Sequence, residues 1–414
     1  MVPKGWSVFR LEDIVIRTQL GTTERGMSED PLTTLIPLIK MGNLGWGSVN
    51  FNKVEYIEQS LINDSFLLKK GDFLFNTRNT PDLVGKSAVW DEDYKATFDN
   101  NINRIVFNKK VYTNFIAYYL NTGKGKSAIQ SLPAGSTSVA AIYWKDLKNI
   151  QLLLPSLGEQ QKIVQILSTW DKAISVTEKL LTNSQQQKKA LMQQLLTGKK
   201  RLLDENGVRF STEWEFKRIS EIATRVQRKN DAAEHPILTI SSLSGFVRQD
   251  ERYSRYMAGE SVKNYILLKK GEFAYNKGNS KTYEFGCIFD LEAYEAGLVP
   301  HVYVCFRLKN GLSHRYFKYL FEADYLKPQL GALVNTGVRN NGLLNIKPTE
   351  FMQTKVPVPC FEEQESIADM LYNSSRTIRV LQDKLACLKD EKKALMQQLL
   401  TGKRRVKVDE AVAE

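Results

Sequence analysis

The sequence predicts an α+β fold built twice: two globular domains separated by two long helices that pair as an antiparallel coiled coil, an internal repeat with pseudo-two-fold symmetry. Three observations lead there. The stretch KKALMQQLLTGK runs from Lys188 to Lys199 and returns unchanged from Lys392 to Lys403. Ahead of each copy lies a heptad pattern, and ahead of that a mixture of strand and short-helix signals.

The landmarks can be followed in order. Each copy opens alike, Trp6-Ser-Val-Phe-Arg-Leu11-Glu-Asp-Ile14 against Trp214-Glu-Phe-Lys-Arg-Ile219-Ser-Glu-Ile222. Leu67-Leu-Lys-Lys-Gly71-Asp-Phe73 then matches Leu267-Leu-Lys-Lys-Gly271-Glu-Phe273, followed by Asn76 and Asn79 against Asn276 and Asn279. Leu152-Leu-Leu-Pro155 matches Val356-Pro-Val-Pro359. The offset moves from 208 to 200 to 204, so insertions and deletions fall between fixed points, as in loops on a shared framework.

Within the globular parts, residues 36–40, 71–75 and 102–107 read as strands, as do 235–240, 271–275 and 301–306. Residues 115–120 and 316–321 read as short helices with an aromatic face. Ser156 followed by Glu159 reads as a capping box opening the first long helix. From there Ile163, Leu167, Trp170, Ile174, Thr177, Leu181, Ser184, Lys188, Leu191 and Leu195 step by four and three. Ile367, Leu371, Ser374, Ile378, Leu381, Leu385, Leu388, Lys392, Leu395 and Leu399 repeat the pattern, the seam of a coiled coil. Gly198 and Gly402 sit where a helix ends in the left-handed conformation, beside the cationic clusters 199–201 and 403–405 that suit the negative end of a helix dipole. About forty residues make a rod of roughly 60 Å, and antiparallel pairing would put the two globular parts at opposite ends. The boundaries expected are a first domain over 1–155, a helical region over 156–198, a second domain over 199–359, a helical region over 360–403, and a tail over 404–414.

Lys plus Arg number 58 against 46 acidic residues, a formal charge of +12 that favours a polyanionic partner, nucleic acid before membrane. The cysteines Cys287, Cys305, Cys360 and Cys387 show no paired spacing, and with three histidines they support neither a metal site nor a disulfide framework. No apolar run approaches the roughly 20 residues needed to span a bilayer, and the start of the chain lacks a signal-peptide core. A cytoplasmic protein off the membrane is the expectation.

These features resemble the specificity subunits of type I restriction–modification enzymes. The likeness rests on LMQQLLTGK ending each helical region, on P-x-x-x-E-Q opening it (Pro155 to Gln160, Pro359 to Gln364), and on the repeated Leu-x-x-Gly-Asp/Glu-Phe strand. It covers essentially the whole chain. The resemblance implies that 1–155 and 199–359 are target-recognition domains, each reading one half of a split, asymmetric site on double-stranded DNA. It implies no catalytic centre in this chain. Two modification subunits would dock along the helices, whose seams are Ile163, Leu167, Trp170, Ile174, Leu181, Leu191 and Leu195, and Ile367, Leu371, Ile378, Leu381, Leu385, Leu388, Leu395 and Leu399. They would carry S-adenosylmethionine to adenine N6, and restriction–translocase subunits would bring ATP and Mg2+. No cofactor is expected in this chain. Heads about 60 Å apart would overshoot the roughly 34 Å of one DNA turn, so the heads would dock partway along the rods or the DNA would bend. The tail from Arg404 matches nothing assigned.

Base readout needs polar, planar donors on loops. The loop after the repeated strand offers Arg78 and Asn79 in the first copy, and Lys277 and Asn279 in the second. The matching of Asn76 with Asn276 points instead to turn-forming residues. A second loop offers Thr137 and Ser138 after Gly135, against Arg339 and Asn340 after Gly337. Lys40, Lys86, Arg104, Lys281 and His301 complete the candidate DNA contacts. Two other classes of function stay open on residues alone. Asp82, Asp93 and Lys95 fit the loose spacing of a metal-dependent nuclease, and a coiled-coil scaffold could bind protein instead. Neither a phosphate-binding glycine loop nor a methyltransferase motif is found.

Overall fold

The repetition visible in the sequence is a repetition of one sheet. In the computed structural model, which describes residues 2–26, 34–135, 139–231, 233–252, 259–278, 280–334 and 344–408, the chain divides into two units. The first comprises Met1–Glu178 with Lys384–Glu414, the second Lys179–Asp383. Each long helix therefore contributes one part to each unit.

In the first unit four antiparallel strands lie in the order Val15–Leu20, Ile102–Phe107, Phe73–Asn76, Ser87–Val89. The second unit has the same order with Ala223–Arg225, Val304–Leu308, Phe273–Asn276 and Cys287–Asp290. The inner strand in each case is the one entered through the repeated Lys-Lys-Gly turn. Its first three residues are apolar because both faces are covered. Phe73 and Phe75 enter the core shared with the helices while Leu74 enters a second cluster, and Phe273, Tyr275 and Ala274 divide in the same way. A two-stranded ribbon accompanies each sheet, Ser7–Arg10 with Gln151–Leu154 and Glu215–Arg218 with Lys355–Val358.

The additions to this framework differ between the units. The first adds Glu55–Glu58, Leu35–Ile39 and Thr97–Phe98, the last two parallel. The second adds two separate hairpin-like pairs, Leu238–Ser241 with Gly245–Arg248 and Ile266–Lys269 with Ala296–Val299. The strand expected from His235 begins only at Leu238, since the His235 ring bonds Asp231 at 2.7 Å ahead of it. The short helices are Thr113–Leu120 and His314–Glu322.

Leu157–Leu195 and Phe361–Leu399 are the long helices, 39 residues each. All twenty seam positions are buried or half-buried, most of their neighbours exposed. Ile163 and Leu167 share a core with Leu395 and Leu399 in the first unit. Leu191 and Leu195 share one with Ile367 and Leu371 in the second. The opening turns of each helix thus meet the closing turns of the other, so the two run antiparallel. Gly198 and Gly402 end the helices at φ +70° and +68°. The amides of Lys200 and Arg404 return to the carbonyls of Gln194 and Gln398 at 3.1 Å, satisfying groups that a helix end leaves open.

One expectation at the helix start is corrected. Ser156 Oγ accepts from the Glu159 amide at 3.4 Å, but the Glu159 carboxylate does not complete a capping box. It is buried and taken by Arg405, whose Nε and Nη2 donate to it at 2.6 and 2.7 Å. Glu363 and Arg201 repeat this pair at 2.6 and 2.7 Å. The tail that matched nothing therefore begins as part of the repeat, with Arg405 and Val406 in the places of Arg201 and Leu202.

Gln160 and Gln364 explain the other half of the shared motif. Gln160 donates to the Pro155 carbonyl at 3.0 Å and accepts from the Tyr112 amide at 2.8 Å. Gln364 donates to the Pro359 carbonyl at 2.8 Å and accepts from the Ser313 amide at 2.9 Å. Each buried amide fastens a long helix to the entry of a short one, satisfying backbone groups that burial would otherwise leave costly.

Candidate nucleic-acid interface

The inner strand of each sheet runs out into a turn held by an asparagine. Asn76 Oδ1 accepts from the Arg78 amide at 3.2 Å, and Asn276 Oδ1 from the Gly278 amide at 3.0 Å. Asn76 is fully buried and Asn276 half-buried, and each accepts from its own chain two residues on, as a turn residue does. Beyond the turn, Arg78–Asn79 pairs antiparallel with Ala140–Ala141, which pairs in turn with Ala134–Gly135. Two loops far apart in sequence are thereby one three-stranded ribbon. Gly135 is required there, since at φ +138° an added Cβ would lie 2.5 Å from the Val139 carbonyl. The second unit joins its corresponding loops in the same place: Leu344 N donates to Lys277 O at 3.0 Å, as Ile142 N donates to Thr77 O at 2.9 Å.

Arg78 is exposed on this ribbon, and Asn79 is half-buried with Oδ1 accepting from the Thr80 amide at 2.8 Å. Lys86 is half-buried beside the turn, its carbonyl accepting from Asn76 N at 2.8 Å. Lys277 follows the Asn276 turn, and Lys281 is exposed four residues on. Thr137, Ser138, Asn279, Arg339 and Asn340 lie outside the described residues.

Known proteins place this architecture. A model of the family "Type I restriction modification DNA specificity domain" matches residues 3–183, the first globular part and most of the first long helix. The specificity subunit of the type I restriction enzyme MjaVIII of Methanocaldococcus jannaschii is 24% identical over 98% of this chain and 94% of its own. That of EcoKI from Escherichia coli K12 is 22% identical over 88% of this chain and 81% of its own. Over its length the chain is similar to the specificity subunits of type I restriction–modification systems. Two solved structures share its fold. The S subunit from M. genitalium, at 14% identity, has a TM-score of 0.56 and covers 96% of this chain and 99% of its own. A chain from work on complex assembly of the type I R-M system, at 16% identity, has a TM-score of 0.55 and covers 98% and 100%.

Two candidate contacts, Arg104 and Lys40, are engaged within the protein. Arg104 is 3% exposed; its guanidinium donates to the carbonyls of Leu67 (2.9 Å) and Ser65 (2.5 Å), to Asp72 (3.2 Å) and to Gln19. A side chain so enclosed does not reach DNA. The second unit meets the same need from the loop that follows Ala223–Arg225. Cys305 occupies the sheet position of Arg104, opposite Ala274 as Arg104 is opposite Leu74. Arg228 instead donates to the Leu267 carbonyl at 2.8 Å and to Glu272 at 2.9 and 3.1 Å. The acidic residue shared by both turns, Asp72 and Glu272, was the only sequence trace of this guanidinium site. Lys40 is held by Glu55 on the neighbouring strand at 2.5 Å. His301 is exposed in the turn between Ala296–Val299 and Val304–Leu308.

Asp93 lies 3.4 Å from Lys70, and Asp82 and Lys95 are exposed. Among the described residues no group of three or more His, Cys, Asp or Glu side chains is placed to hold a metal ion. No helix among them is long and apolar enough to cross a membrane.

Proposed function

We propose that the chain gives a type I restriction–modification enzyme its sequence specificity by reading a two-part DNA site, one half with each head. The observation that carries this is the doubled framework, in which corresponding loops meet beside the turn after the inner strand of each sheet. Identical sheet order and identical Asx turns present Arg78 and Asn79 in one head and Lys277 in the other. The same scaffold with different side chains is what two unequal half-sites require.

The antiparallel long helices would fix the spacing of the heads and offer two equivalent surfaces to two modification subunits. S-adenosylmethionine would be bound by those partners, with ATP and Mg2+ belonging to restriction subunits. Mapping methylated adenines in a host carrying the complete system should show two short half-sites around an unspecified spacer. Exchanging residues 1–155 for another head should alter one half only. A change in both halves would sink the two-reader model.

A further inference from the structure

The exposed face of the first head's ribbon is partly apolar. Arg78 stands opposite Ala141 and Asn79 opposite Ala140, and directly opposed residues share a face. Continued one step, that register would set Val139 opposite Thr80. The bond from Ile142 N to Thr77 O continues it the other way, which returns Tyr143 to the side of Arg78. Apart from Ala141, which is buried, exposure follows this alternation. Ile142 and Ala140 are buried and Asn79 half-buried, whereas Arg78 and Thr80 are exposed, Val139 is 54% exposed and Tyr143 50% exposed. Lys145 Nζ lies 5.7 Å from the centre of the Tyr143 ring, keeping a cation beside it.

Two large apolar groups beside an arginine on one face of a ribbon form a small patch that a complementary apolar group can cover. A β-ribbon fits the major groove of B-DNA, where the only apolar feature on a base edge is the 5-methyl group of thymine. Arg78 matches the paired acceptors of guanine in the same groove. We infer that Val139 and Tyr143 read thymine methyl groups, so that the first half-site holds thymine beside the base met by Arg78. This rests on the DNA-reading function proposed above. The second head differs at this point. Leu344, bonded to Lys277, takes the place of Ile142, so the residue following it is the polar Asn345 where the first head has Tyr143. Methyl readout therefore belongs to the first head.

The test uses the full chain in complex with its modification subunits and a duplex carrying the mapped site. Each thymine of the first half-site is replaced in turn by uracil, which lacks only the methyl group. One or two replacements should weaken binding about fourfold, the effect of withdrawing one methyl from a covered apolar contact at ~0.8 kcal/mol. Val139→Ala or Tyr143→Ala should abolish that sensitivity, leaving thymine and uracil duplexes bound alike. If no uracil in the first half-site matters, or if both variants keep the full thymine preference, the inference is overturned. A duplex with the first half scrambled separates this from the parent reading. Binding as tight as to the true site would remove sequence reading itself. Weak binding to it, with uracil and thymine equivalent, would remove the methyl assignment alone.

Discussion

Glu159 and Glu363 are carboxylates taken almost wholly out of water, and each is tolerated because one arginine meets it with two bonds. Truncating the arginine leaves a buried charge, which costs roughly 3–5 kcal/mol when both partners are enclosed. Arg405 keeps 45% of its side chain in solvent, so water restores part of that, and about 2 kcal/mol is the expected loss for Arg405→Ala. Calorimetry should show a lower Tm for the unit containing the first head, with partial recovery when Glu159→Gln is added. No recovery would mean the arginine acts by packing and not by charge. Asp324 offers a pH-dependent counterpart. Burial pushes its carboxyl up to about 6, and its backbone sits at φ +54°. A raised carboxyl means the folded state holds a proton that the unfolded chain has released. Stability contributed by that proton is present in acid and lost as pH rises from about 4 to about 6. Asp324→Asn, which tolerates the same backbone region, should raise the Tm at pH 7.5 more than at pH 4. An equal gain at both would assign the effect to the backbone alone. Residues of this kind were partly legible in the sequence. The matching of Asn76 with Asn276 marked them as turn formers because a repeated turn repeats its geometry. The enclosure of Arg104 was not legible, since three of its acceptors come from the 65–72 segment, more than thirty residues away in sequence.

The long helices were legible nearly to the residue because their period is set locally, and every seam position named from the heptads is at least half-buried. Strands fared less well at their edges, and the ribbon joining residues 78–79 to 140–141 was invisible, since its pairing is decided by chain segments some sixty residues apart. The phase of the seam gives a test at this scale. Seven added residues advance a helix by two turns and nearly restore its facing, whereas two residues rotate everything beyond them by about 200°. Inserting one heptad after residue 178 and another after residue 383 should leave a folded protein. It should lengthen the unspecified spacer by about three base pairs, from about 1.5 Å per helical residue and 3.4 Å per base pair. Two-residue insertions at the same points should sharply reduce folded yield by turning the seam to solvent. A heptad variant that folds but keeps the original spacer would deny the helices their measuring role.

The two units close by equivalent contacts made in different ways. In the second, the ring of Trp214 lies 3.4 Å from where a Cβ on Gly198 would be, and Arg201 donates to the Thr212 carbonyl at 2.8 Å, with residues 203–211 joining them in one chain. In the first, Gly402 packs against Pro3 and Trp6, and Arg405 donates to the Lys4 carbonyl, with nothing covalent between. The joining residues 203–211 turn at Gly207, φ +77°, and a cross-strand bridge links Leu203 to Arg209. If this hairpin only tethers what the Trp–Gly and Arg–carbonyl contacts already hold, the tether can be moved. A chain opened at Gly207, with residue 408 joined to residue 2 through a copy of residues 203–211, should fold with both heads intact. In complex with modification subunits it should methylate the same adenines as the original. The two chains should have similar Tm values, since each unit retains its arginine pair, its Trp–Gly contact and its core. Loss of one half-site in the rearranged chain would show that covalent continuity, and not these contacts, holds the head concerned.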